Sequence, residues 1–283
     1  MSKSYIELRF DVPEAEAELR TLSLVEAGAE GVEERDATTL EKPAAGMVAL
    51  VVWIAPDRVE DFLARAGSPS VDRRERNEDE WRDAWKKHFT TRKVGRFLIV
   101  PSWEQPPAKL DAGVCVLRLD PGRAFGTGGH ASTRLCLDLL GDLPLVERFL
   151  DVGCGSGVLA IGCARAFPQA TGIGVDIDPD SPEVSRENAA INEVADRIAF
   201  SSTSLVEVHG PFDLVLANIQ PDVLIALAAQ LAGRVNQRGA LILSGILIEA
   251  LPPVIDAFRA RGFSLRARKE EDGWVGVHLE RAS

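Results

Sequence analysis

From residue 148 onward, short apolar segments alternate with amphipathic ones, and this alternation narrows the possible folds more than any other feature of the chain. Residues 148–152 (RFLDV), 171–176 (TGIGVD), 197–201 (RIAFS), 212–217 (FDLVLA) and 240–244 (ALILS) read as strands. Helices are expected between them at 157–166, 182–192, 221–234 and 248–261. Apolar strands joined by crossover helices build a parallel sheet covered on both faces. Two more strand candidates, 263–268 and 274–280, flank the charged turn Lys269–Gly273. A nicotinamide-binding domain does not usually finish on such a hairpin. The expected class is α/β, a doubly wound and mostly parallel sheet with an antiparallel C-terminal strand.

The N-terminal part follows another rhythm. Residues 5–11 (YIELRFD) read as a strand, and Pro13 with Glu14, Glu16 and Glu18 opens a helix that ends at Gly28. A short strand near 30–35 precedes MVALVVWI (47–54), Pro56 starts a second helix, and 70–76 supplies a fourth strand. The order βαββαβ predicts a small ferredoxin-like α+β domain. Residues 79–89 (DEWRDAWKKHF) read as a connector helix with Trp81, Trp85 and Phe89 on a packing stripe. Residues 101–109 hold three prolines and read as an extended loop. The expected organisation is a recognition domain over 1–78, a connector helix and linker over 79–110, and a catalytic domain over 111–283.

Composition removes several classes. Of the 283 residues 46% are hydrophobic, too many for a disordered chain. No apolar run reaches the roughly 18–20 residues that cross a bilayer, so no membrane role is expected. The start MSKSYIELRFDVPEAEAEL turns acidic where a secretion signal would be most apolar, which points to the cytoplasm. Cys115, Cys136, Cys154 and Cys163 form no Cys-x-x-Cys pair, so neither a disulfide scaffold nor a structural metal site is expected. The net charge of −11 is concentrated early: residues 1–80 carry 10 basic and 19 acidic side chains, the rest 22 and 24. Neither part has the basic excess of a duplex-wrapping protein, so direct nucleic-acid readout is not expected. The acidic module suits a basic partner or serves solubility alone.

Three segments carry chemistry. The first is Leu150-Asp151-Val152-Gly153-Cys154-Gly155-Ser156-Gly157, where the first strand of the sheet turns into its first helix. Glycines there let a ligand approach the backbone. Asp176 follows Gly157 by 19 residues, at a strand tip where a carboxylate can accept both hydroxyls of a ribose. Two cofactors fit this pattern. Gly155, Gly157 and Ala160 satisfy the dinucleotide form GxGxxA. Gly153-x-Gly155-x-Gly157 preceded by Asp151 matches the open loop of S-adenosylmethionine enzymes. The second segment, Ala217-Asn218-Ile219-Gln220-Pro221, lies at the carboxyl edge of the sheet. Asn218 is suited to orient an acceptor amine, or it caps the following helix. The third, Asp120 to Arg134, is a donor-rich loop with His130 leading into a helix, read as an anion nest or a lid.

Together these segments resemble the bacterial ribosomal protein methyltransferases of the PrmA type. The resemblance rests on DPGRAFGTGGHASTRLCLDLL, LDVGCGSGVLAIG, GVDIDPDSPEVSRENAAIN and ANIQPDVL, in that order. The connector EDEWRDAWKKHF and the ending EEDGWVGVHLER agree with it. It implies a class I methyltransferase domain behind a small substrate-recognition domain. The implied reaction moves methyl groups from S-adenosyl-L-methionine to amines of large-subunit ribosomal protein 11, a basic partner, with the enzyme acting as a monomer. Carried over by position, cofactor contacts fall on Thr133, Gly153, Gly155, Asp176 and Asn218. Amine positioning falls on Asn218 and Ile219, with no metal. The chain departs from the family's usual pattern at Gly129, where threonine is common, and at Gln220, where leucine is.

Overall fold

The computed structural model describes residues 4–29, 32–35, 43–44, 46–67, 71–77, 90–120 and 129–281. The expected connector helix at 79–89 lies outside them. The chain divides into two compact units, Met1–His88 and Phe89–Ser283.

The first unit runs β1 (Ser4–Pro13), α1 (Ala17–Glu26), β2 (Glu33–Arg35), β3 (Met47–Ile54), α2 (Val59–Arg65) and β4 (Asp72–Asn77). Its sheet has the order β2-β3-β1-β4, with every pairing antiparallel. This is the ferredoxin-like arrangement that the βαββαβ order predicts. Pro56 opens the second helical segment, where a missing N–H costs nothing. Leu8 and Phe10 of β1 meet Leu24 of α1, Leu50 and Val52 of β3, and Phe62 and Leu63 of α2 in one apolar core. Arg20 donates to the Ala66 carbonyl (3.0 Å) and lays its guanidinium over the Phe10 ring, joining α1 to the end of α2.

The second unit opens with a small sheet of β5 (Arg92–Val94), β6 (Phe97–Pro101) and β7 (Cys115–Leu119), in that order. Residues 92–94 and 97–101, expected as linker, are therefore strands. The reason is the run Phe97-Leu98-Ile99-Val100, which is buried throughout and pairs in parallel with β7. Next come α3 (Ala131–Gly141), β8 (Arg148–Val152), α4 (Val158–Ala166), β9 (Thr171–Val175), α5 (Ser181–Ile191) and β10 (Ile198–Ser201). The chain ends with β11 (Phe212–Asn218), α6 (Pro221–Arg234), β12 (Val235–Leu247), α7 (Leu251–Arg259), β13 (Phe263–Glu271) and β14 (Trp274–Arg281).

These strands form a seven-stranded sheet, β10-β9-β8-β11-β12-β14-β13. The first five are parallel, and β14 is antiparallel to both of its neighbours. Leu214, Val215, Leu216 and Ala217 of β11 are all fully buried, as a central strand covered on both faces requires. Strand order reverses between β8 and β11, which opens a crevice at their carboxyl ends.

Two further elements differ from expectation. β12 spans residues 235–247 rather than 240–244. The final turn shrinks from Lys269–Gly273 to Asp272-Gly273, both at positive φ, the backbone of a two-residue hairpin. Lys269 is polar for another reason than a turn: it reaches Asp138 (2.7 Å) and Asp142 (2.8 Å) at and just beyond the end of α3.

Candidate cofactor and acceptor site

At the carboxyl end of β8 the chain enters the glycine loop. Gly153, Gly155 and Gly157 take φ values of +73°, +52° and +78°, a region open to glycine without steric cost. The loop's donors are already engaged. Gly153 and Cys154 donate to the Val175 carbonyl (2.8 and 3.1 Å), and Gly157 donates to the Cys154 carbonyl (2.8 Å). Gly155 donates to Asp176 Oδ2 (2.8 Å). In the first turn of α4, Ala160 N–H donates to Asp151 Oδ2 (3.0 Å), so this chain's own carboxylate fills the anion slot. A dinucleotide pyrophosphate needs those N–H groups free. The GxGxxA spacing is present in the sequence, but the N–H of its third member, Ala160, is taken by Asp151.

Asp151 is 0% exposed, and its Oδ1 is buried without a hydrogen-bond partner. Burial pushes its pKa up to about 7; the Ala160 N–H pulls it down, and the negative charge of Asp176 pushes it further up. A buried carboxyl with one open oxygen fits a ligand that brings a donor or positive charge. Asp176, just beyond β9, accepts from Gly155 at Oδ2 and from the Asp178 N–H at Oδ1 (3.0 Å). Each oxygen keeps a lone pair for a hydroxyl. Beside it Ile177 is 99% exposed, an apolar side chain held out at the mouth of the crevice.

Asn218 ends β11. Its Nδ2 donates to Thr133 Oγ1 (3.2 Å) on the fully buried first turn of α3, and its Oδ1 is buried with no partner. It does not cap the next helix: Gln220 stands at the N-cap of α6 without a side-chain bond, and Pro221 is the first helical residue. Ile219 then lies over Gly153, whose missing Cβ would sit 2.4 Å from Ile219 Cγ2. The six residues assigned by the resemblance thus form two linked groups, Thr133–Asn218–Ile219–Gly153 and Gly155–Asp176, on either side of Cys154.

Of the third segment, residues 121–128 lie outside the described part. His130 caps α3, its Nδ1 accepting from the Ser132 N–H (3.3 Å), with its ring edge-on to Trp274 at 4.7 Å. Burial, then the charge of Arg134, hold the His130 pKa below the ordinary value. Among the described residues no group of three or more His, Cys, Asp or Glu could hold a metal ion.

Known proteins share this whole plan. The family description "Ribosomal protein L11 methyltransferase (PrmA)" matches residues 4–282. The chain belongs to the ribosomal protein L11 methyltransferase family. A relative of that name from Geobacter metallireducens is 37% identical over 97% of both chains. Another, from Pelobacter propionicus, is 42% identical over 72% of this chain and 68% of its own. The crystal structure of ribosomal protein L11 methylase from Lactobacillus delbrueckii subsp. bulgaricus is 33% identical. It covers 69% of this chain and 100% of its own, with a TM-score of 0.61.

As a member of that methyltransferase family, the protein uses S-adenosylmethionine as its methyl donor, and the residues present fit it. Asp176 suits the ribose hydroxyls, Ile177 a flat purine face, and the open oxygen of Asp151 the cofactor's ammonium. The motifs read from the sequence do not include Ile177. The sequence reading places the acidic residue at this strand end near the amino-acid part of the cofactor, without naming Asp151 among the site residues. The departures from the family pattern are structurally mild: the Gly129 carbonyl accepts from Arg134, and Gln220 serves as the helix boundary.

Proposed function

We propose that this methyltransferase acts on the lysine ε-amines, and on the α-amine, of ribosomal protein L11 in the cytoplasm, as a monomer. The observation that carries this reading is the buried, unpartnered Oδ1 of Asn218 beside the glycine loop. A carboxamide oxygen there accepts N–H from an amine and turns its lone pair toward the donor. The Thr133 bond holds the carboxamide in that orientation, because Nδ2 is already committed. When bound, S-adenosylmethionine supplies a methyl carbon on a positively charged sulfur that leaves as a neutral thioether. The residues of the chain then position and desolvate the amine. The ammonium proton passes to water as the acceptor enters, since a lysine ordinarily near pKa 10.4 must be neutral to attack.

The 1–78 module, rich in carboxylates, supplies binding energy toward a basic protein surface away from the reacting atoms. Incubation with labelled methyl donor and L11 tests the whole reading. Label in L11 lysines supports it; label in another protein and none in L11 moves the acceptor and leaves the chemistry. Calorimetry tests the cofactor separately: S-adenosylhomocysteine binds and NAD does not.

A further inference from the structure

Strand β12 is irregular where it passes the acceptor loop. Its pairing with β14 shifts register between Leu243 and Ile246, and Gly245 takes φ +80°. This is a bulge, and it sits one residue beyond Ser244, the partner of Asn218 in the last β11–β12 pair. Ser244 is fully buried and its hydroxyl donates to the Val275 carbonyl (3.0 Å), which pins the bulge to β14. A Cβ at Gly245 would lie 2.5 Å from the Ile219 carbonyl oxygen, 2.9 Å from its carbon and 3.0 Å from its nitrogen. Those are main-chain atoms, so no rotamer change relieves the clash. On its other side Ile219 lies over Gly153 through its side chain.

We propose that Gly245 is a positioning residue for methyl transfer: the β12 bulge is the wall against which the Ile219 peptide rests. This rests on the reading of Asn218-Ile219 as the acceptor loop. Asn218 is held at its side chain by Thr133, Ile219 at its side chain by Gly153 and at its main chain by Gly245. A methyl group at 245 must drive the Ile219 peptide about 1 Å away, a displacement that in a near-attack geometry costs about 100-fold in rate. Asp151 on β8 and Asp176 just beyond β9 stand on other elements and do not need to move.

The test is Gly245→Ala, with Gly262→Ala as its partner. Gly262 has the same φ of +81° and nothing within 4 Å of its Cβ, so it carries the backbone strain without the clash. In the full-length enzyme, Gly245→Ala is expected to lower single-turnover methylation of L11 at least tenfold relative to Gly262→Ala. S-adenosylhomocysteine affinity should stay within about twofold, and both rates are read well below the two melting temperatures, of which that of Gly245→Ala should be the lower. Equal turnover in the two variants overturns the proposal, and so does a parallel loss of cofactor affinity and rate. Ile219→Ala adds a second discriminator. It should restore part of the activity lost in Gly153→Ala, where the clash is with a side chain, and none of that lost in Gly245→Ala. Equal rescue of both overturns the proposal. The Ile219 δ-methyl NMR resonance reports loop displacement without any turnover. A resonance unmoved by Gly245→Ala refutes the inference, whereas a wild-type enzyme inactive on L11 refutes only the acceptor assignment.

Discussion

Asn218 is the residue whose geometry says most about chemistry. Losing its carboxamide should cost about 2–4 kcal/mol of transition-state stabilisation, the scale of one preorganised polar contact. Folding should lose only about 1 kcal/mol, that of the single bond to Thr133. Asn218→Ala is therefore expected to turn over about 100-fold slower at nearly unchanged melting temperature, checked by single-turnover rates and calorimetry. Asp176→Ala should weaken S-adenosylhomocysteine binding by about 1.5–3 kcal/mol in a titration, because charge-assisted bonds to two hydroxyls are lost. Asp151 yields a pH signature. Its folded pKa of about 7 lies above the ordinary carboxyl value, so the folded state holds the proton more tightly than the unfolded chain. The ligand-free protein should then lose stability as pH rises from about 4 to about 7, by about 4 kcal/mol at most, and level off above that window. Urea midpoints of wild type and Asp151→Asn should converge at low pH and separate through the window, and added cofactor should shrink the gap.

At the scale of elements, the β13–β14 tip holds the start of α3 in place. Arg134, 10% exposed at its side chain, donates to Glu271 (2.7 Å) and Asp272 (3.2 Å) across the hairpin turn and to the Gly129 carbonyl. Four residues before Arg134, His130 meets Trp274. Glu271→Gln removes one charge from an arginine that is nearly out of water, and should cost about 1–3 kcal/mol in thermal or urea unfolding. Because Thr133 rides on the same turn, Asn218-dependent turnover should fall as well. The strands of the seven-stranded sheet and the helices between them were legible from period and length alone. Lys269–Glu271 were not, because charged residues read as a turn when their partners, Asp138, Asp142 and Arg134, lie more than a hundred residues away. Phe97–Val100 was missed for the opposite reason: it is short and follows a charged stretch, and pairing with β5 and β7 makes it a strand.

For the whole molecule, each unit has an apolar core of its own. Deleting residues 1–88 should leave S-adenosylhomocysteine binding unchanged and abolish methylation of L11, measured on the same labelled substrate. If the carboxylate excess of residues 1–80 steers a basic substrate, the full-length reaction should be salt-sensitive through KM rather than kcat. A truncated enzyme as efficient as the full chain would refute the recognition role. No described helix is long and apolar enough to cross a membrane.

What the sequence determined by itself is whatever depends on local periodicity and on glycine: the element order of the small N-terminal sheet and of the seven-stranded sheet, and the glycine turn at Gly153–Gly157. These follow from side-chain spacing and allowed φ values, which neighbouring residues already dictate. The tertiary structure decided which of two glycine fingerprints is real, since Asp151 reaches over nine residues to the Ala160 N–H and closes the pyrophosphate slot. It also decided that Asn218 points to Thr133 rather than to its own helix, across 85 positions of chain. Hydrogen bonds of that span depend on where two distant strands are laid side by side, and no local pattern encodes that.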